Sequence, residues 1–175
     1  DAQLEALAVA ARDTGADVRV MAPMVATAEE AAWFARRVRE NGLPKAGVMI
    51  EVPGAALRAG HVLAEVDFGS LGTNDLAQYT MAADRMQGEL SDLLDPWQPA
   101  VLDVVAAACE GAATTGRPMG VCGESAGDPL LALVQPGPDP IGEIANAPVL
   151  EPAPAAPAME PAVPDLPVVK PDPGK

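Results

Sequence analysis

Five side chains in this sequence are of types that do chemistry and stand where an apolar residue or a plain turn would be the default: Glu51, Asn74, Asp75, Arg85 and Cys122. Glu51 interrupts "GVMIEVPG", where burial would normally demand an apolar side chain, and an unpaired buried carboxylate is costly. It either reaches solvent at a strand end or meets a cation. Asp75, in "GSLGTNDL", follows the next apolar run, so two carboxylates from neighbouring strands could share one rim. Magnesium takes one or two carboxylates and keeps its other positions for water and substrate oxygens, which suits such a pair. By residue type alone "GTND" reads equally well as a turn with a helix cap.

Arg85 is a lone cation in an acidic stretch, suited either to a salt bridge or to clamping a phosphate or carboxylate. Residue type does not choose between them. Cys122 lies in "MGVCGESAGD"; an ordinary thiol, with a pKa of about 8.5, is mostly protonated at neutral pH and can donate a proton. The plainer reading is a small buried hydrophobe at a strand end. Cys109, inside an apolar helical run, reads as core, Tyr79 as packing, and His61, the only histidine, as a surface residue.

The elements that must position these residues alternate along the chain. "ADVRVMAPM" (16–24) is a short buried strand closed by Pro23. Thr27 with Glu30 has the spacing of a capping box, and the helix it opens stops at Gly42. "KAGVMIEVPG" (45–54) is a second strand, with Pro53 suited to open a helix over "GAALRAGHVLAEV". "VDFGSLG" (66–72) is a third strand, with a short helix from about Asp75 and a longer one from about Gln98 to Thr115. "RPMGVCGESAGD" (117–128) is a fourth, and "PLLALV" starts a further helix. Four strand–helix repeats imply an α/β fold with parallel strands. Glu51, Asn74 with Asp75, and Cys122 each fall at or just past the C-terminal end of a strand, where parallel α/β folds build their sites. A barrel and a doubly wound sheet both fit the alternation, and that placement favours a partial (β/α)8 TIM barrel of about four β/α units.

Residues 1–135 are the part expected to fold. From Pro136 onward lie 12 of the 19 prolines, which remove backbone donors and block helices, so residues 136–175 are expected to form a disordered Pro/Ala-rich tail. The formal net charge is −14, of which −10 falls on residues 1–135. Such a chain repels phosphate backbones, which argues against nucleic acid as a partner, and an anionic substrate would need a metal or local arginines. The two cysteines suggest neither a zinc site nor a disulfide framework. No apolar run approaches a membrane span and no signal pattern opens the chain, so a cytoplasmic protein without membrane contact is expected. A start at Asp1, without Met, suggests a fragment or a processed end.

Together, "GVMIEVPGAAL", "VDFGSLGTNDLAQYTMAADR", "LLDPWQPAVL" and "MGVCGESAGDP" closely resemble the C-terminal barrel of Enzyme I of the bacterial sugar phosphotransferase system, the phosphoenolpyruvate-protein phosphotransferase. The resemblance runs from about Val18 to about Val134, in order and spacing. Pyruvate phosphate dikinase and phosphoenolpyruvate synthase share "IE.P", "GTNDL" and "CGE", but "QYTMAADR" is closer to Enzyme I. The resemblance implies that Glu51 and Asp75 bind Mg2+, that Asn74, the backbone around Asp75, and Arg85 hold phosphoenolpyruvate, and that Cys122 is the proton donor. It implies a phosphoryl acceptor histidine on a separate N-terminal domain, onward transfer to a histidine-containing phosphocarrier protein, and a homodimer. His61 is not that histidine.

The resemblance also implies barrel strands and further substrate-binding arginines upstream of Asp1, and a leucine-rich helix and last strand where this chain turns to "QPGPDPIGEIANAPVL". A fragment that is inactive alone is therefore expected. A dikinase or synthase fragment remains an alternative, as does a non-catalytic truncated product or interaction module.

Overall fold

The computed structural model of the chain describes residues 2–128 together with Leu130 and Leu131. Helix α1 spans Ala2–Thr14, strand β1 Arg19–Ala22, α2 Ala28–Glu40, β2 Lys45–Ile50, α3 Pro53–Leu57, α4 Ala59–Ala64, β3 Phe68–Gly72, α5 Thr73–Met81, α6 Pro99–Thr115 and β4 Met119–Cys122. Two 3₁₀ segments, Gly88–Leu94 and Glu124–Gly127, flank α6 and β4. The strands form one sheet in the order β1-β2-β3-β4, all pairs parallel. Helices occupy the crossovers, as parallel pairing requires.

Burial follows position in the sheet. β2 and β3 are buried along most of both faces, as expected of central parallel strands, whereas β1 and β4 are only partly covered. The core gathers Val38, Val48, Ile50, Leu63, Leu71, Leu76 and Val105 between the sheet and the helices. Two helices cross closely because both carry glycine at the contact: a Cβ on Gly111 of α6 would sit 2.5 Å from the backbone nitrogen of Gly60 in α4. This accounts for a glycine inside α6, where helix propensity disfavours one.

The capping box is present: the Thr27 hydroxyl accepts from the Glu30 N–H at 3.2 Å, and Glu30 Oε2 accepts from the Thr27 N–H at 3.1 Å. Other expectations need correction. The single helix expected after Pro53 is two, broken at Arg58, whose φ of −117° leaves the helical region. Helix α1 had no counterpart in the sequence reading; none of its residues is fully buried, so it lacks a strong apolar stripe. The helix after β3 begins at Thr73, two residues earlier than expected, with no intervening turn. Tyr79 is 46% exposed and does not pack in the core. Cys109 is buried and His61 exposed, as expected. Residues 136–175, the boundary near 135 and most of the helix expected from "PLLALV" lie outside the described residues.

Candidate active site

The carboxyl ends of the strands bring the chemistry-bearing residues to one rim. Glu51 follows the last residue of β2 and is 2% exposed. Its Oε1 accepts a 2.6 Å hydrogen bond from the backbone N–H of Met24, just beyond β1. Met24 takes a φ of +56°, which costs a non-glycine residue free energy and is tolerated where the surroundings over-determine it. The strained backbone thus supplies the one donor that reaches the buried carboxylate among the described residues.

The other oxygen of Glu51 lies over Gly72, at the end of β3. A Cβ there would stand 2.5 Å from Glu51 Oε2 and 2.8 Å from Glu51 Cβ. The φ of Gly72, −91°, is open to any residue, so the carboxylate, not the backbone, excludes a side chain. Gly72→Ala is accordingly expected to cost about 1–3 kcal/mol through overpacking, read as a lowered urea midpoint. Unchanged stability would mean that Glu51 moves aside freely.

Helix α5 starts where β3 ends, so Asn74 and Asp75 lie in its first turn. Gly72 provides no side-chain cap, and the first N–H groups of a helix, with its dipole, favour an anion. Asp75 Oδ1 stands 3.6 Å from Arg85 Nη2, a half-exposed pair of the kind that contributes little to stability. Arg85 is therefore a tethered but accessible cation. It lines, with Asn74, Thr73, Ser125, Glu124 and Asp128, a cleft of about 270 Å³. Glu51, Asp75 and Cys122 do not line this cleft; they belong to the neighbouring strand-end group, and the first turn of α5 joins the two.

Cys122 ends β4, in register with Gly72. Its Sγ–H donates to the Leu71 carbonyl at 3.2 Å. Burial pushes the thiol up, the neighbouring Ser70 side chain opposes this, and the Glu51 charge adds to the rise. The thiol therefore stays protonated at neutral pH. Burial likewise raises the Glu51 carboxyl; the Met24 N–H pulls it back, the Asp75 charge pushes it up, and Arg85 pulls it down. Glu51 thus senses Asp75, and Cys122 senses Glu51, so the three form one electrostatic group.

Among the described residues no cluster of three or more His, Cys, Asp or Glu side chains is arranged to hold a metal. The pair Glu51 and Asp75 offers oxygen donors only, with Glu51 Oε1 on the Met24 N–H and Oε2 lying over Gly72. That donor set fits a hard cation such as Mg2+, which needs few protein ligands. His61 sits on the exposed face of α4 with Nε2 3.0 Å from Arg58 Nη2, outside this group. Residue types alone did not single out Met24, Ser70, Thr73, Gly123 or Ser125. A backbone donor leaves no side-chain signal, and small hydroxyls are common in any turn.

Residues 1–137 match the family described as PEP-utilising enzyme, PEP-binding domain, and the chain belongs to this family. It is similar to proteins named phosphoenolpyruvate-protein phosphotransferase: it is 59% identical over 136 residues to that of Streptomyces coelicolor, covering 77% of this chain and 24% of the relative. The corresponding figures are 43% identity, 71% and 24% for the protein from Haloferax volcanii, and 42%, 66% and 23% for that from Enterococcus faecalis. The chain thus spans about a quarter of the length of these curated relatives. No helix among the described residues is long and apolar enough to cross a membrane.

Proposed function

We propose that this chain is the phosphoenolpyruvate-binding part of a phosphoenolpyruvate-protein phosphotransferase, which moves the phosphoryl group of phosphoenolpyruvate to a protein histidine and releases pyruvate, in sugar uptake. Its four strands are then a segment of a (β/α)8 barrel. The observation that carries this reading is the convergence of Glu51, Asn74 with Asp75, and Cys122 at the carboxyl ends of three adjacent parallel strands, in a chain of this family. Homologues bearing that enzyme name support the reaction class.

In this reading Asn74 and the first N–H groups of α5 orient the anionic substrate, and Arg85 adds a cation that offsets its charge. Glu51 and Asp75 would hold Mg2+, which when bound offsets charge on phosphate oxygens. The P–O bond of the substrate breaks as the acceptor nitrogen takes the phosphoryl group, leaving an enolate. Cys122 Sγ–H gives its proton to the methylene carbon of that enolate, forming pyruvate, and the thiolate regains a proton from solvent. The acceptor histidine and the phosphocarrier that receives the group next belong to other segments or chains.

A chimera tests this reading. Residues 2–131 of this chain replace the matching segment of the Streptomyces coelicolor relative, and magnesium-dependent pyruvate release from phosphoenolpyruvate is measured. Activity within about tenfold of the parent is expected, since the two segments are 59% identical. An inactive but folded chimera overturns the reading. The 175-residue chain alone is expected to release no pyruvate.

A further inference from the structure

The β3–β4 ladder ends at the pair Gly72 and Cys122. Beyond it one chain enters helix α5 and the other turns at Gly123, yet the two remain tied by side chains. The Thr73 hydroxyl donates to the Cys122 carbonyl at 3.0 Å, and Ser125 Oγ donates to Thr73 Oγ1 at 2.6 Å. The backbone N–H of Glu124 donates to Asn74 Oδ1 at 3.0 Å. Gly123 sits inside this knot at φ +97°, where a Cβ would come within 2.6 Å of Thr73 Oγ1 and 2.8 Å of Asn74 Oδ1.

The chemistry of the groups fixes the direction of each bond. A carbonyl only accepts, so the Thr73 proton points to Cys122, and the Thr73 oxygen must accept from Ser125. Both residues are buried, at 4% exposure each, so breaking either bond leaves a polar group poorly placed to find water. A backbone N–H only donates, so the Asn74 oxygen must face Glu124. The flipped amide would set an NH2 group against an N–H. Its NH2 is therefore the group left for the cleft that Asn74 lines, and only an acceptor, such as an oxyanion, can use it.

We propose that Thr73 and Ser125 are positioning residues: their buried hydroxyl relay locks the Gly123–Glu124 turn onto the start of α5, so that Asn74 presents its NH2, and not its oxygen, to an oxyanion in the cleft. That the oxyanion is phosphoenolpyruvate rests on the function proposed above. The relay acts through Asn74 and through the carbonyl of Cys122. It thereby holds the substrate-orienting amide and the strand that carries the thiol in one register.

The test uses the isotopically labelled 175-residue chain and needs no ligand for its first arm. Ser125→Ala and Thr73→Val are expected to speed hydrogen exchange of the Glu124 amide about tenfold, the size of one lost buried hydrogen bond, and to move the side-chain NH2 signals of Asn74. The amide of Val48, in the middle of β2, should keep its rate. Thr73→Ser, which retains the hydroxyl, should restore protection at Glu124. Unchanged Glu124 exchange in both variants overturns the proposal, as does equal acceleration at Val48, which would report only a general loss of stability. If Thr73→Val does not fold, Ser125→Ala decides by the same criteria.

The second arm places Ser125→Ala in the active chimera, where KM for phosphoenolpyruvate should rise about tenfold with a smaller change in kcat, because an orienting contact to bound substrate is weakened. Acceleration at Glu124 without any change in KM refutes the positioning role. An unsubstituted chimera that is itself inactive overturns the phosphoenolpyruvate reading alone, and the exchange comparison still decides whether the relay holds Asn74.

Discussion

Glu51→Gln is expected to stabilise the chain at neutral pH and, on the function proposed above, to abolish magnesium-dependent turnover by the chimera. Glu51 is almost fully buried and has one hydrogen bond, from the Met24 N–H. Burial and the Asp75 charge raise its carboxyl above the ordinary value of 4.5. Between that ordinary value and the raised one, the folded state keeps a proton that the unfolded state has lost. Stability therefore falls as pH rises through the window, and above it the fold bears the full cost of a buried charge. Glutamine keeps an oxygen for the Met24 N–H and carries no charge. Its thermal midpoint should exceed that of the parent at pH 7, and the difference should vanish below about pH 4.5, where the parent is protonated in both states.

Function should move the other way. On the function proposed above, the same substitution in the chimera removes one of the two carboxylates that would hold Mg2+, and pyruvate release should fall about 100-fold or more, since even outer partners of metal ligands carry ten- to a hundredfold effects. A glutamine variant less stable than the parent at pH 7 would refute the buried-charge account. Retained magnesium-dependent turnover would remove Glu51 from the metal site. Opposite signs for stability and activity are what a side chain kept for function should give.

The residues legible in the sequence are those whose type contradicts their surroundings or whose partner is local. Glu51 stood out because a carboxylate broke an apolar run, and the Thr27–Glu30 box because both partners lie within one turn. Helix α5 starts two residues before the expected position: Gly, Thr, Asn and Asp favour turns locally, yet β3 pairs with β4 as far as Gly72 and the helix follows at once from Thr73. The break at Arg58 was hidden for a related reason. No proline stands there, and the contact that follows the break, α4 on α6 at Gly60 and Gly111, joins positions about fifty apart in the chain. The Thr73–Ser125 bond joins positions 52 apart, and no periodicity or cap marks such a pair. The Met24 donor is invisible in principle, because every residue but proline has the same N–H.

Cys122→Ala should reduce pyruvate release by the chimera about 100-fold or more while leaving phosphoenolpyruvate binding nearly intact. General acids contribute about 10²–10⁴-fold, and the enolate must gain its proton on carbon before pyruvate can form. Binding should survive because Asn74 and Arg85, not the thiol, line the cleft. The thiol is suited to the task because burial and the nearby Glu51 charge both hold it protonated, above its ordinary range, with only Ser70 opposing them. Activity that depends on this proton should persist through neutral pH and decline on the alkaline side.

The same coupling gives a measurement on the chain alone. Glu51→Gln removes a negative charge that disfavours the thiolate, so the Cys122 pKa should drop relative to the parent, and its reaction with a thiol reagent at fixed pH should quicken. Cys109, raised by burial alone, should keep its rate and serves as the internal comparison. Equal acceleration at both thiols would mean a loosened core, and no change at Cys122 would break the electrostatic link from Glu51 to the thiol. A Cys122→Ala chimera with full activity would leave the buried thiol as a packing residue and require the enolate proton to come from elsewhere.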